Sequence, residues 1–149
     1  MSLVFVDTNI IAYARDTRLA VKQPIAEGWL SRLATARQGR ISTQVLIEYY
    51  SVATHPNKLA LPAAAAQADC RALQAWLPLA PDLVLFESAW SLADRYGFSW
   101  WDALIVAAAL RQECTLLLSE DLQHNLVIDN RLTIINPFAP DAPLPSPVP

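Results

Sequence analysis

The stretch Leu3-Val4-Phe5-Val6-Asp7-Thr8-Asn9 constrains the fold more than any other in the chain. Four consecutive apolar residues, two of them β-branched and one aromatic, predict a strand buried on both faces, as in a parallel sheet. The run ends abruptly in a carboxylate, a hydroxyl and an amide. Open α/β sheets bind their ligands just beyond the carboxyl ends of parallel strands. A charge beside a buried strand also needs a partner or an ion. The sequence therefore poses one question first: which residues come to meet Asp7.

The 149 residues suit one domain with a sizeable core. Hydrophobic residues make up 54% and charged ones 17%, yet no run approaches the ~20 apolar residues a bilayer span needs. No basic residue precedes the first apolar run and Asp7 interrupts it, which is unlike a signal peptide. A cytoplasmic location without membrane contact is the expectation. Cys70 and Cys114 form no CxxC pair, and the two histidines are not spaced for zinc, so buried, reduced thiols are expected. Three glycines cannot write a phosphate-binding loop or a dinucleotide fingerprint. A net charge of −3 argues against a generally basic nucleic-acid binder. It leaves room for a local basic patch, and an acidic metal site would itself pull the total down.

Periodicity predicts a short helix over Ile10 to Arg15, then one with Pro24 near its start and Gly39 at its end. Arg40 to Ser42 reads as a short strand or edge. A helix capped by Ser42 or Thr43 runs to about Thr54, and an alanine-rich one from Pro62 through Trp76. Pro81 to Val84 is a short strand candidate, followed by an amphipathic helix over Glu87 to Tyr96 closing at Gly97. Ser99 opens the most apolar helix, Trp100 to about Gln112, and further strands fall at Thr115 to Leu118 and Arg131 to Ile135. Six of the thirteen residues from Pro137 onward are proline, so residues 139–149 read as an extended or disordered tail outside a domain of residues 1–138. Strands alternating with more abundant helices predict an α/β fold around a mainly parallel sheet.

Four carboxylates stand out by position. Asp7 ends the first strand, and Asp121, within Ser119-Glu120-Asp121, follows the strand Leu116 to Leu118. If those strands are parallel neighbours, both acids leave the same edge of the sheet. Asp102 lies in the first turn of its helix, where an acid beside Ser99 can simply serve as a cap. It also shares a face with Ile105, Val106 and Ala109. Glu48 sits between Val45 and Val52 at the edge of an apolar face, although a solvated surface glutamate is the plain alternative. Ser119 and Asp121 can likewise cap the segment that follows. Taken together, two acids at strand ends and two on core-leaning helix faces exceed what capping explains. Clustered carboxylates repel and take up protons unless a cation compensates. All-oxygen ligands favour Mg²⁺ or Mn²⁺ over zinc. Such a site activates water against a phosphodiester, with Thr8, Asn9 and Ser119 orienting carboxylates or water.

Val6-Asp7-Thr8-Asn9, Glu48 within Gln44-Val45-Leu46-Ile47-Glu48-Tyr49, Asp102 opening an apolar helix, Ser119-Glu120-Asp121-Leu122-Gln123-His124 and the late Asn136-Pro137-Phe138 together resemble the PIN domain. Within it they are most similar to the VapC-like toxins of type II toxin–antitoxin systems. The resemblance implies a three-layer α/β/α fold with a central, mainly parallel sheet flanked by helices. It implies endoribonuclease activity dependent on one or two Mg²⁺ or Mn²⁺ ions, held by Asp7, Glu48, Asp102 and Asp121 with Thr8 or Ser119 in support. Homodimerisation and inhibition by a cognate antitoxin are implied as well. Asn125 departs from the glycine that close relatives often carry there, a change that a left-handed backbone tolerates.

RNA contact has to come from local charge, and Arg15, Arg18, Lys22, His55 and Lys58 lie near the acids in sequence. Solvated surface positions are the alternative for each. Tyr49, Tyr50, Trp100 and Trp101 can stack on bases or pack in the core. Trp29, Leu30 and Leu33 are candidates to line a groove for an apolar antitoxin segment. Two other functions compete: a non-catalytic module that binds RNA or antitoxin, and a phosphatase with Asp7 as nucleophile. The phosphatase wants a second acid two residues on, where this chain has Asn9.

Overall fold

A computed structural model describes residues 2–145. Strand β1 (Leu3–Val6) is followed by helices α1 (Thr8–Arg15) and α2 (Lys22–Ala36), then by strand β2 (Gly39–Arg40). Helices α3 (Thr43–Thr54), α4 (Ala63–Ala72), α5 (Leu83–Tyr96) and α6 (Trp100–Arg111) come next, with a 3₁₀ turn at Leu73–Trp76 after α4. Strands β3 (Cys114–Leu118), β4 (Val127–Ile128) and β5 (Leu132–Ile135) complete the fold. The sheet order is β2-β1-β3-β5-β4, parallel except for the β4–β5 edge pair. Helices flank this sheet in the three-layer α/β/α arrangement that the resemblance implied. No helix among the described residues is long and apolar enough to cross a membrane.

β1 is buried on both faces, as its unbroken apolar run requires: Val4, Phe5 and Val6 are all in the core. It pairs in parallel with β3, with Phe5 opposite Leu117 and Val6 opposite Leu118. The Asp7 N–H continues the ladder onto the Leu118 carbonyl at 3.0 Å, and the Ser119 N–H continues the next one onto Ile135 at 3.0 Å. Asp7 and Ser119 therefore leave the sheet side by side. The other covering layer that matters here is α6, where every residue from Ala103 to Ala109 is buried.

Several boundaries differ from expectation, each for a physical reason. No strand forms at Val84. Asp82 instead accepts the Leu85 N–H at 2.8 Å and starts α5 directly after Pro81. The core side of that helix is Leu85, Ala89 and Leu92, so the apolar residues at its start, Leu83 and Val84, face solvent and mimic a strand. Gly39 does not end α2; Arg37 does, in a left-handed conformation (φ 56°). Gly39 lies in β2 because the Trp76 ring packs on it: a Cβ there would fall on the ring. The β4 hairpin edge was not foreseen. It is made by Asp129 and Asn130, both at positive φ, residue types that accept that conformation. Asn125 is left-handed as expected, at φ 67°.

Cys114 is buried and Cys70 half-buried, both free thiols, and burial pushes the Cys114 thiol up to about 12. The first part of the proline-rich tail lies against the domain. Asp141 bonds to His124 and Asn125, Ala142 packs on the core, and the Pro145 ring approaches Gly28. Residues 146–149 of that tail lie outside the described residues.

Candidate active site

The four singled-out acids come from four separate elements and line one open pocket of about 830 Å³ at the carboxyl edge of the sheet. Asp7 caps α1, its Oδ1 accepting the Thr8 N–H at 2.8 Å, while its Oδ2 accepts the buried Ser119 hydroxyl at 2.8 Å. Ser119 Oγ in turn accepts the Asp121 N–H at 3.2 Å, which turns the Asp121 segment back toward Asp7. Asn9 ties the same corner together. Its side-chain amide donates to Asp121 Oδ2 at 3.1 Å and reaches Asp7 Oδ2 at 3.4 Å, and its Oδ1 accepts the Glu120 N–H at 3.2 Å.

Glu48 enters from α3. The Thr8 hydroxyl donates to Glu48 Oε2 at 2.9 Å, and Gln44 Nε2, one turn earlier on α3, donates to Oε1 at 3.0 Å. Asp102 enters from the first turn of α6. Its own N–H is capped by Ser99 Oγ at 3.2 Å, so the capping reading holds for its backbone while its side chain lines the pocket.

The electrostatics are strained in a definite direction. Burial raises the Asp7 carboxyl most, Ser119 and Thr8 lower it, and the negative charges of Glu48 and Asp121 raise it again, leaving it at about 6. The Asp102 carboxyl is raised too, by burial first and by Asp121 and Glu48 second, against the Ser99 hydrogen bond. The acids thus feel one another across the pocket, and no cation among the described residues stands close enough to Asp7 or Asp102 to offset this.

All-oxygen donors with no imidazole or thiolate among them suit a hard divalent cation such as Mg²⁺ or Mn²⁺. Among the described residues, however, no three acids, histidines or cysteines stand close enough to grip an ion as placed. Hydrogen bonds instead hold the carboxylates: Thr8 and Gln44 hold Glu48, while Asn9 links Asp7 to Asp121.

Of the expected RNA-contacting cations, Arg18 and Lys58 line the pocket. Arg18 is held by Asp16 in a two-pronged ion pair and donates to the Lys58 carbonyl at 3.2 Å. Arg15 and Lys22 are turned elsewhere. Arg15 pairs with Asp69, which also accepts the Tyr49 hydroxyl at 2.6 Å, so this charge staples α1 to α4 beneath α3. Lys22 Nζ lies 2.6 Å from Glu120 and over the Tyr13 and Phe138 rings. Burial acts to raise the Glu120 carboxyl, but hydrogen bonds from Lys22 and Tyr13 outweigh it and hold the group below its usual range. His55 lies outside the pocket, its Nδ1 accepting the Asn57 N–H.

Trp29 and Leu33 are core residues, at 4% and 0% exposure, and do not line an open groove; Leu30 packs half-buried beside them. Their i, i+4 spacing marks the face of α2 that packs inward, a meaning the periodicity shares with a groove. An open apolar groove of about 550 Å³ lies elsewhere, between α3, α5 and α6, among Leu79, Leu85, Phe86, Trp100 and Leu104. It shares Gln44, Ile47, Glu48 and Trp101 with the acidic pocket. Gln44 and Tyr13, both lining the acidic pocket, were not singled out from sequence. Gln44 had a signal, since four residues before Glu48 is one helical turn.

The sequence model of the PIN-domain family matches residues 4–127. The chain belongs to the PIN-domain family. The match begins in β1 and takes in all four acids of the pocket. This PIN domain is similar in fold to the VapC20 toxin of Mycobacterium tuberculosis, a sarcin–ricin loop cleaving toxin, at 23% identity and a TM-score of 0.57, over 76% of this chain and 86% of that one. It is also similar to VapBC2 of Rickettsia felis, solved bound to a DNA fragment from its promoter, at 16% identity and a TM-score of 0.53, over 89% and 96%. No curated protein sequence is similar enough to count as a relative.

Proposed function

We propose that this PIN domain is an endoribonuclease dependent on Mg²⁺ or Mn²⁺, and the toxin of a toxin–antitoxin pair. One observation carries the reading. Asp7, Glu48, Asp102 and Asp121, from separate stretches of the chain, line a single pocket in which burial first, and the charges of Glu48 and Asp121 after it, raise the Asp7 carboxyl to about 6. Those four side chains are the proposed ligands. A divalent cation, when bound, supplies charge neutralisation and Lewis acidity toward a phosphodiester.

The chain's own groups have separable tasks. Ser119 and the Thr8 N–H hold Asp7 ionisable inside the fold by bonding its charged form. Thr8 and Gln44 fix Glu48 at the pocket wall, and Asn9 keeps Asp121 on the Asp7 side. Arg18 and Lys58 supply the positive charge in the pocket lining that a nucleic-acid backbone needs in a chain with a net charge of −3. The fold similarity to VapC20 and to a VapBC complex supports the toxin role and a cognate antitoxin as partner, and pairing of two copies is proposed on the family resemblance alone.

The test is RNA cleavage with Mg²⁺ or Mn²⁺, comparing wild type with Asp7→Asn and Asp102→Asn. Metal-dependent cleavage that either substitution abolishes is the expected result. Cleavage that survives EDTA, or variants that cleave as fast as wild type, overturns the mechanism. RNA or antitoxin binding without turnover turns the domain into a binding module.

A further inference from the structure

The structure separates the four candidate stacking aromatics. Tyr49 is fully buried, and Trp100 is taken up by a cluster, stacked on Trp90 at 5.9 Å and edge-on to Phe86 at 5.5 Å. Tyr50 is half-exposed away from the pocket. Trp101 alone of the four is both open to solvent, at 63%, and in the lining of the acidic pocket, and no aromatic ring among the described residues covers it.

Its anchoring ties it to the acids. Trp101 directly precedes Asp102, and its carbonyl accepts a hydrogen bond from Gln44 Nε2 at 3.2 Å. The same amide nitrogen donates to Glu48 Oε1. The Trp101 backbone and one acid are thus held by a single side chain. The pocket then follows α3 along Gln44, Glu48 and Ser51, positions that share one face of a helix. Trp101 stands beside Gln44 at the start of that stripe, and Lys58 follows the end of α3 with Arg18 bonded to its carbonyl. The stripe spans about 10 Å, the rise of about three stacked nucleotides. A ring, Glu48 and two cations are therefore met in that order.

We propose that Trp101 is a substrate-contacting residue that stacks on the nucleobase beside the phosphate addressed by the acids, while a backbone phosphate further along is met by Arg18 and Lys58. This rests on the nuclease reading of the pocket. An indole platform accepts any base but only where a face is free, so the substrate class is a single-stranded or looped-out nucleotide, not a paired one.

The experiment measures binding of fluorescein-labelled poly(A) and poly(U) strands of about ten nucleotides with Mg²⁺ present. It uses an Asp7→Asn background, which blocks turnover and removes one repelling charge. Trp101→Ala in that background is expected to weaken binding about 5- to 100-fold, the range for loss of one base–aromatic stack. Trp101→Phe is expected to retain most of it. One abasic nucleotide walked along the strand weakens binding at one position, and that position dependence disappears in Trp101→Ala. A duplex of the same length binds Trp101→Ala and its parent equally. Equal affinity of parent and Trp101→Ala for the single strands overturns the proposal and leaves the nuclease reading standing. A loss of affinity without position dependence, accompanied by conversion of a dimer to monomers in sedimentation, also overturns it and makes Trp101 a self-association residue. Failure of the parent itself to bind RNA defeats the nuclease reading and this inference with it.

Discussion

Ser119 Oγ donates a 2.8 Å hydrogen bond to Asp7 Oδ2, joining two buried side chains 112 residues apart in the chain. The bond exists because β1 and β3 pair in parallel and end together, so that the next residue of each strand emerges beside the other. Since it favours the charged form of Asp7, it opposes the burial that raises that carboxyl.

Ser119→Ala removes this donor and the acceptor of the Asp121 N–H in one step. We expect a stability loss of about 1–3 kcal/mol, the cost of leaving buried polar groups unmet. The Asp7 carboxyl moves further up, so the acid limb of a pH–rate profile for RNA cleavage shifts to higher pH. Thermal melts and that profile check both effects; an unmoved acid limb contradicts the assignment.

Asp7→Asn separates stability from activity. A carboxyl raised from 3.8 unfolded to about 6 folded binds its proton more tightly in the folded state. Its contribution is favourable below the unfolded value and is lost as pH rises through the folded one. The metal-free wild type therefore loses stability between about pH 4 and pH 6, by about 3 kcal/mol, and Asp7→Asn escapes that loss. Above pH 6 the variant melts higher than wild type while cleavage is abolished. A variant that melts lower at neutral pH contradicts the buried-charge account.

Mn²⁺ at millimolar concentration raises the Tm of the wild type, because a ligand bound only by the folded state stabilises it by mass action. The increase is larger at pH 7 than at pH 5, where Asp7 holds a proton, and is lost in Asp7→Asn. A thermal shift that is independent of pH and of Asp7 locates the ion elsewhere.

Thr8→Val keeps the shape of the side chain and deletes the hydroxyl that bonds Glu48. Gln44 then holds Glu48 alone. Cleavage is expected to fall about tenfold or more, equivalent to roughly 1.4 kcal/mol of lost positioning, with folding changed by about 1 kcal/mol or less. Metal titration of the cleavage rate distinguishes the cause, since a displaced Glu48 demands more metal for half-maximal rate.

Gly39→Ala tests the fold apart from the site. Its Cβ would land on the Trp76 ring, so the ring or β2 must move. Overpacking of this kind costs typically 1–3 kcal/mol, read as a lower urea midpoint with unchanged cleavage per folded molecule.

The fold class was legible because β1 carries its burial in composition: four apolar residues in a row leave a strand covered on both faces as the natural solution. The four acids were legible because each breaks an apolar pattern or ends one. Tertiary structure decided the rest. Whether Arg15 and Lys22 face RNA or a carboxylate depended on Asp69 and Glu120, which are distant in sequence and adjacent only after folding. The apolar face of Trp29 and Leu33 predicts burial against something, and only the packing of α2 on α1 and the core made that something internal. The sequence by itself determined the β1 strand, the acid at its end and the helix faces on which Glu48 and Asp102 lie. The parallel register of β1 and β3, which sets Asp7 beside Ser119, came from the packing of the sheet. Period and composition report which side chains seek burial, while the partner that satisfies a buried charge is fixed by contacts between residues far apart in the chain.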